Sequence, residues 1–184
     1  MKKVFIFLAE GFEETEAIVT TDTMIRGELD VTIVSVTGKS LVTGAHGISV
    51  NTDVLFENAD FSKGEMLVLP GGMSGASNLN IHKDLKDLLL QYAKEGKKLA
   101  AICAAPLVLG GLDLLQGKKA TAYPGFESTL KGAEYTGKGV VKDGNIITGK
   151  GPGFSIDFGL AIVEELQGKT KADEVANGLL FHRS

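Results

Sequence analysis

Residues 98–106 read KLAAICAAP. The run Lys98–Ile102 is short and apolar, which is typical of a strand that is covered on both faces. It stops at Cys103, and a helical pattern extends from Ala104 to about Leu115. A side chain at such a strand-to-helix turn is held at the top of a sheet, in the manner of a nucleophile elbow. The sequence therefore places the Cys103 thiol where a buried strand ends.

Strands and helices alternate along the rest of the chain. Besides Lys98–Ile102, we predict strands at Val4–Leu8, Val31–Val36, His46–Thr52, Met66–Leu69, Ala120–Tyr123, Gly139–Lys142 and Ile146–Thr148, with a hairpin turn at Asp143-Gly144. Further helices are predicted at Glu13–Arg26, Leu79–Glu95, Ser155–Leu166 and Thr170–Leu180. This alternation predicts an α/β fold with a mostly parallel central sheet and helices on both faces. A length of 184 residues predicts one domain, residues 1–184.

The composition excludes several classes of protein. Hydrophobic residues make up 43% of the chain, and its 24 glycines follow no regular period, so it is neither disordered nor collagen-like. One cysteine can form neither an intramolecular disulfide nor a Cys-rich zinc site. A formal net charge of −4 argues against nucleic acid as the main partner, because nucleic-acid binding needs a concentrated basic surface.

We expect a cytoplasmic protein without a membrane partner. The apolar run Val4–Ala9 is too short for the core of a signal peptide, and acidic residues follow it from Glu10. No stretch approaches the 18 or so apolar residues that a membrane-spanning helix needs. A single unpaired thiol also fits a reducing compartment.

The position of Cys103 favours reactivity, although a second interpretation stays open. A helix N-terminus stabilises a thiolate, so we predict that the thiol pKa lies below its usual value of about 8.5. The alternative is that Cys103 is a small buried apolar residue without chemistry.

Two further strand exits carry candidate site residues. Pro70-Gly71-Gly72 lets the backbone approach a ligand and direct N–H groups toward an oxyanion. No G-x-G-x-x-G helix start or Walker loop is present, so no nucleotide cofactor is expected.

The acidic exit follows the first strand. Glu13 and Glu14 are interpreted as complements of a helix dipole. Glu16 lies within the predicted helix, and a carboxyl group turned from there toward the sheet would be desolvated. Its pKa would then rise, and it could donate a hydrogen bond to a thiolate.

Four segments in this order resemble the ThiJ/PfpI superfamily. They are EGFEETE (10–16), LPGG (69–72), AAICAAP (100–106) and GPG followed by FGLAIVE (151–164), and they are most similar to the branch of the Parkinson-disease protein deglycase and its bacterial YajL-type relatives. The resemblance implies a flavodoxin-like sandwich, a homodimer, a reactive Cys103, a protonated Glu16 bonded to it, and an oxyanion site made by the N–H groups of Gly72 and Ala104. The activities it implies are glyoxalase, deglycase, peroxide sensing through a cysteine sulfinate, and chaperoning.

The chain departs from the family pattern at its histidines. Ala104 stands where the protease-like branch has a histidine after the cysteine, which argues against a cysteine protease. Tyr123 stands where the deglycase branch has a histidine. A phenol is a poor base at neutral pH, but it can donate a hydrogen bond to a substrate oxygen. His46 is a distant substitute for that imidazole, and we interpret His82 and His182 as surface residues.

Three hypotheses follow for the function. In the first, Cys103 attacks a small α-oxoaldehyde such as methylglyoxal, with Glu16 moving protons and neither metal nor cofactor required. In the second, Cys103 is a redox sensor that oxidises to the sulfinate. In the third, the protein is a chaperone or interaction module with an inert thiol. Rapid alkylation of the thiol at pH 6 would exclude the third hypothesis.

Overall fold

The apolar runs form strands in a computed structural model, which describes residues 1–182. The strands are β1 (Lys3–Leu8), β2 (Asp30–Ser35), β3 (Leu41–Thr43), β4 (Ser49–Asn51), β5 (Val54–Leu55), β6 (Gly64–Leu69), β7 (Lys98–Ile102), β8 (Lys119–Ala120), β9 (Glu134–Tyr135), β10 (Val140–Asp143) and β11 (Ile146–Gly149). Four of them, β1, β6, β7 and β11, are almost continuously buried, as expected for strands covered on both faces.

Seven strands make up the central sheet, in the order β10-β11-β7-β6-β1-β2-β5. All neighbours are parallel except the hairpin β10–β11, which is antiparallel. The predicted mostly parallel sheet is therefore confirmed. The strands β3 and β4 form a separate antiparallel hairpin, and β8 pairs with β9.

The helices flank this sheet in two groups. They are α1 (Glu14–Arg26), α2 (Gly75–Ile81), α3 (Lys83–Lys94), α4 (Pro106–Gly111), α5 (Ser155–Gln167) and α6 (Lys169–Gly178). One group consists of α1, α5 and α6, and the other of α2, α3 and α4. At the crossing of α1 and α5, a Cβ on Gly159 would lie 2.7 Å from Cβ of Thr23, so glycine allows the two helices to approach closely. In the described part of the chain, no helix has the length and apolar character needed to cross a bilayer.

The structure corrects the predicted helices in two places. The predicted helix Leu79–Glu95 is two helices, because His82 has an extended backbone (φ −75°, ψ 104°) and caps α3 with its own ring. The helix predicted from Ala104 begins only at Pro106, since Cys103 has a positive φ of 64° and residues 103–105 form a turn.

The short strands are also displaced from their predicted positions. The predicted strand His46–Thr52 keeps only Ser49–Asn51, which pairs with a strand that the sequence analysis missed. The predicted strand at 120–123 ends at Ala120, and the rest of it is a loop. Because Asp143 pairs with Ile146, the hairpin turn consists of residues 144 and 145 rather than 143 and 144.

Candidate active site

Cys103 stands at the carboxyl end of β7, on a turn held from two sides. Its N–H donates to the carbonyl of Gly149 in β11 at 2.9 Å, and its carbonyl accepts from the N–H of Tyr123 at 2.9 Å. The positive φ of 64° is unusual for a residue with a side chain, and such conformations persist only where the surroundings enforce them. The residue is 8% exposed. Cys103 thus occupies the predicted elbow, almost sealed from solvent.

Glu16 reaches the same place from the first turn of α1. Its side chain is 0% exposed, and Oε2 accepts the N–H of Gly71 at 2.7 Å. The other oxygen, Oε1, is buried and has no hydrogen-bond partner among the described residues. Glu13 fixes the start of the helix, because its Oε2 accepts the N–H of Glu16 at 2.6 Å. A buried carboxyl oxygen without a partner is costly, which favours the protonated form of Glu16.

The glycine pair after β6 brings these two side chains together. A Cβ on Gly71 would lie 2.7 Å from Cβ of Cys103 and 2.8 Å from Oε2 of Glu16, so only glycine fits between them. Gly72 has a φ of 89°, and the backbone N–H groups of Gly72 and Ala104 both act to lower the pKa of the Cys103 thiol. Both N–H groups therefore favour a negative charge near the sulfur, and an oxyanion site needs donors of this kind.

Burial dominates the acid–base properties of the pair. It raises the pKa of Glu16 to about 7, although interactions with Cys103 and Gly71 act in the lowering direction. While Glu16 is ionised, burial together with the charge and hydrogen bonding of Glu16 raises the pKa of Cys103 to about 12. The predicted lowering of the thiol pKa is therefore wrong. The donors of Gly72 and Ala104 do lower it, but α4 is short and does not offset the loss of water.

Whether Glu16 carries a proton determines how readily Cys103 ionises. Two of the three effects that raise the Cys103 pKa come from Glu16. When Glu16 carries a proton, its charge disappears and it becomes a donor, so both effects change in favour of the thiolate. Glu16 and Cys103 therefore titrate as a coupled unit rather than as two independent groups.

Tyr123 reaches the site through its backbone. Besides the hydrogen bond to the Cys103 carbonyl, its ring packs on Gly151, where a Cβ would lie 3.1 Å from Tyr123 Cδ2. The side chain is 47% exposed. The structure thus brings Cys103, Glu16, Gly72 and Ala104 together, and it places Tyr123 beside them on the solvent side.

The sequence analysis missed the role of Glu14. Its Oε1 accepts the N–H groups of His46 and Ile48, and its Oε2 lies 2.7 Å from Nδ1 of His46, so it ties the β3–β4 hairpin to α1. Burial would raise the pKa of Glu14, but the hydrogen bonds with His46 and its neighbours lower it. The same contact raises the pKa of His46, which is 70% exposed at its side chain. Glu14 is therefore more than a helix-dipole complement.

One group of side chains has the spacing of a cation site. Ligand atoms of Glu13, Glu14 and His46 lie within 4.8 Å of one another. Protein donors already engage both oxygens of Glu14 and one of Glu13, so the group is satisfied without an ion.

His82 is not the surface residue that the sequence suggested. It is partly buried, its Nδ1 accepts the N–H of Leu85 at 3.1 Å, and its ring packs on Phe56 with centroids 4.9 Å apart. His182 is exposed, as expected.

Comparison with known proteins places the chain in a family. A family model described as DJ-1/PfpI matches residues 2–165. The chain belongs to the DJ-1/PfpI family. This result confirms the resemblance drawn from the four sequence segments and agrees with the flavodoxin-like arrangement of the sheet and helices.

Named relatives in the DJ-1/PfpI family come from several kingdoms. The chain is 41% identical to Protein DJ-1 homolog A of Arabidopsis thaliana, over 98% of this chain and 47% of that protein. It thus spans about half the length of that relative, and 42% of the Arabidopsis DJ-1 homolog B. A deglycase of Pyrococcus abyssi is 30% identical over 82% of this chain and 91% of its own.

Solved DJ-1 structures superpose closely on this chain. The crystal structure of Drosophila melanogaster DJ-1beta has a TM-score of 0.93 at 37% identity and covers 99% of both chains. Oxidized Toxoplasma gondii DJ-1 also has a TM-score of 0.93, at 33% identity, and covers 100% of both chains.

Proposed function

We propose that this DJ-1/PfpI protein is a thiol-dependent enzyme that converts small α-oxoaldehydes to hydroxy acids. One observation carries the proposal: Glu16 is fully buried beside the only cysteine of the chain, and its Oε1 has no hydrogen-bond partner among the described residues. A carboxyl group whose pKa is near 7 can both give and take a proton at neutral pH. The deglycase name of a relative at 30% identity is consistent with chemistry on such carbonyl compounds.

The reaction begins with the thiolate of Cys103. Its sulfur forms a bond to the aldehyde carbon of R–CO–CHO, and the aldehyde oxygen becomes an alkoxide facing the N–H groups of Gly72 and Ala104. Protonated Glu16 gives its proton to this oxygen and leaves a hemithioacetal. These steps use the two backbone N–H groups that favour a negative charge near the sulfur.

The carboxylate of Glu16 then acts as a base. It removes the hydrogen of the former aldehyde carbon as a proton, which gives an enediolate. The hydroxyl proton then passes to the former ketone oxygen, and Glu16 returns its proton to the neighbouring carbon. The product is a thioester of Cys103, which water hydrolyses to the hydroxy acid and the free thiol. The sum is one α-oxoaldehyde plus one water giving one hydroxy acid, so no oxidant or reductant is consumed, and the proposal includes no metal or cofactor. Tyr123 can donate a hydrogen bond to the ketone oxygen.

The test is the formation of lactate from methylglyoxal. We expect Cys103→Ser and Glu16→Gln each to reduce kcat/KM at least 100-fold, because each removes a group that takes part in bond making. Glu57→Gln is the matched control, since Glu57 is an exposed carboxylate outside the site. Full activity in Glu16→Gln would overturn the mechanism.

The same geometry supports a second candidate, a sensor of peroxide. The N–H groups of Gly72 and Ala104 favour a negative charge on the sulfur, so they would stabilise a sulfinate on Cys103. We expect graded peroxide to add the mass of two oxygen atoms to the intact wild-type protein and less to Glu16→Gln. No mass gain on Cys103 at sub-millimolar peroxide would exclude this function.

A homodimer is the assembly we propose. Ile18 and Ile25 are exposed on α1, and Ile48 is exposed in the hairpin that Glu14 ties to the same helix. Such neighbouring apolar side chains favour association, and a second copy of the chain would cover them. A cytoplasmic location remains part of the proposal, because the chemistry needs Cys103 in the reduced form.

A further inference from the structure

A small cavity lies beside Tyr123, on the solvent side of the elbow. Its volume is about 240 Å³, and its walls include Tyr123, Pro124, Pro152 and Phe154. Pockets for drug-sized ligands usually measure about 300–1,000 Å³, so this one suits a single ring or branched alkyl group. Rings of tyrosine, proline and phenylalanine offer an apolar surface.

Main-chain hydrogen bonds tie the cavity to Cys103 from both sides. The N–H of Tyr123 donates to the Cys103 carbonyl at 2.9 Å, which fixes one wall to the elbow. The opposite wall starts at Lys150, the residue after Gly149, whose carbonyl accepts the N–H of Cys103 at 2.9 Å. The two chain segments that form the walls are therefore both anchored to the main chain of Cys103, so the cavity adjoins the elbow that carries the thiol.

The cavity is lined mostly by apolar groups, and Lys150 is the charged residue in its lining. Lys150 contributes to its lining, but its Nζ donates to the carbonyl of Gly137 at 3.1 Å. Gly153 also lines the cavity, and a Cβ there would have no heavy atom within 4 Å among the described residues. The space is thus apolar and open at one glycine.

We propose that this cavity is a subsite for the substituent R of the α-oxoaldehyde, and that it selects aryl or bulky alkyl groups over methyl. The proposal rests on the proposed function for the identity of the substrate. It predicts that phenylglyoxal is a better substrate than methylglyoxal. Moving a ring from water into an apolar subsite of this size should raise kcat/KM about tenfold or more.

A binding experiment tests the subsite without requiring turnover. Acetophenone carries the aryl ketone but no aldehyde, and acetone is its small counterpart. We expect acetophenone to slow the alkylation of Cys103 by iodoacetamide at millimolar concentrations at which acetone has no effect. Equal effects of the two ketones would overturn the subsite, whether or not the protein turns over any aldehyde.

Two variants locate the effect in the cavity. Gly153→Leu should fill it, and Phe154→Ala should remove one wall; both should lower the ratio of kcat/KM for phenylglyoxal to that for methylglyoxal about tenfold. The matched control is Gly178→Leu, because Gly178 is exposed and a Cβ added there would meet no heavy atom within 4 Å among the described residues. Because the ratio is internal to each variant, partial unfolding does not imitate the effect.

The outcomes separate the two proposals. Protection by acetophenone, lost in Gly153→Leu, without product from either aldehyde would overturn the enzyme and support the subsite. Product from both aldehydes at equal kcat/KM, with no protection, would support the enzyme and overturn the subsite.

Discussion

At the scale of single residues, the chemistry depends on a proton shared by Glu16 and Cys103. Both side chains are buried, and burial disfavours a charge on either of them. The N–H groups of Gly71, Gly72 and Ala104 stabilise one negative charge, on either Glu16 or Cys103. The pair is therefore suited to hold one charge and one proton near neutral pH, and substitutions at Glu16 should report where the proton lies.

The rate of Cys103 alkylation should depend on what replaces Glu16. With Glu16 protonated below its pKa of about 7, the thiolate has a donor and no neighbouring charge. We expect measurable alkylation at pH 6 in wild type and in Glu16→Gln, which keeps a neutral donor. Glu16→Leu should react at least about tenfold more slowly, since one pKa unit corresponds to a factor of ten in thiolate. Mass spectrometry of the alkylated chain measures these rates.

A contrary result would be clear in the same experiment. If wild-type alkylation rises only at strongly alkaline pH, the proton stays on sulfur while Glu16 ionises. The thiolate mechanism would then be wrong.

Glu16 should also make stability depend on pH. Its pKa is raised from 4.5 to about 7, so the folded state holds the proton more tightly than the unfolded chain. This stabilisation is complete below pH 4.5 and is lost as the pH rises through 7. The test compares Cys103→Ala with the double variant Cys103→Ala/Glu16→Gln. The double variant's free energy of unfolding minus that of Cys103→Ala should increase by about 2 kcal/mol from pH 5 to pH 8.

Urea unfolding of both variants at the two pH values measures this difference. The Cys103→Ala background removes ionisation of the thiol. If the difference in free energy of unfolding between the two variants is the same at pH 5 and pH 8, the pKa of Glu16 is not raised.

At the scale of the elements, backbone geometry at their ends places the site residues. The positive φ of Cys103 separates β7 from α4, so the thiol stands on a turn and not within a helix. Glu13 caps α1 and so fixes the turn from which Glu16 projects. His82 ends α2 and begins α3, because its ring nitrogen takes the N–H that would otherwise belong to a continuing helix.

The cap at His82 should make a measurable contribution to stability. His82→Ala removes the acceptor for the N–H of Leu85, so we expect a loss of about 1 kcal/mol in the free energy of unfolding. His82→Asn retains a capping acceptor but not the ring that packs on Phe56. It should recover at least half of the loss in urea unfolding. If His82→Asn is as unstable as His82→Ala, then packing of the ring, and not capping, is the contribution of His82 to stability.

At the scale of the whole molecule, the sheet collects residues that are far apart in the chain. The exits of β1, β6 and β7 are adjacent because these strands are neighbours in the order β7-β6-β1. Parallel strands direct their carboxyl ends to one edge, where ligands bind in open α/β sheets. The candidate site lies at this edge, and the exposed isoleucines of α1 lie on the helix that carries Glu16.

The dimer proposal predicts a change of mass at this surface. We expect wild type to sediment as a dimer and Ile18→Glu to sediment as a monomer, because a buried unpaired charge at an interface is costly. Ile81→Glu is the control, since Ile81 is also an exposed isoleucine but lies on α2. A monomeric wild type, or a dimer that survives Ile18→Glu and Ile48→Glu together, would overturn the proposal.

Much of the fold could be predicted from local pattern. Apolar runs such as Val4–Leu8 and Lys98–Ile102 occur in the structure as buried strands, and the position of Cys103 after the second run predicted the elbow. The hairpin of β3 and β4 was missed, because its strands have three residues each and leave no periodic signal. The break at His82 was missed for a similar reason, since a ring that caps a helix resembles a residue within one.

What the sequence determined by itself is the order of strands and helices, the lone thiol at a strand end, and the family motifs, because these depend on neighbouring residues. The tertiary structure decided the pairing of Glu16 with Gly71, 55 residues away, and the contact of Glu14 with His46. It also decided the direction of the Cys103 pKa, which the sequence predicted wrongly. Desolvation and distant charges set a pKa, and both arise only when separate segments pack together.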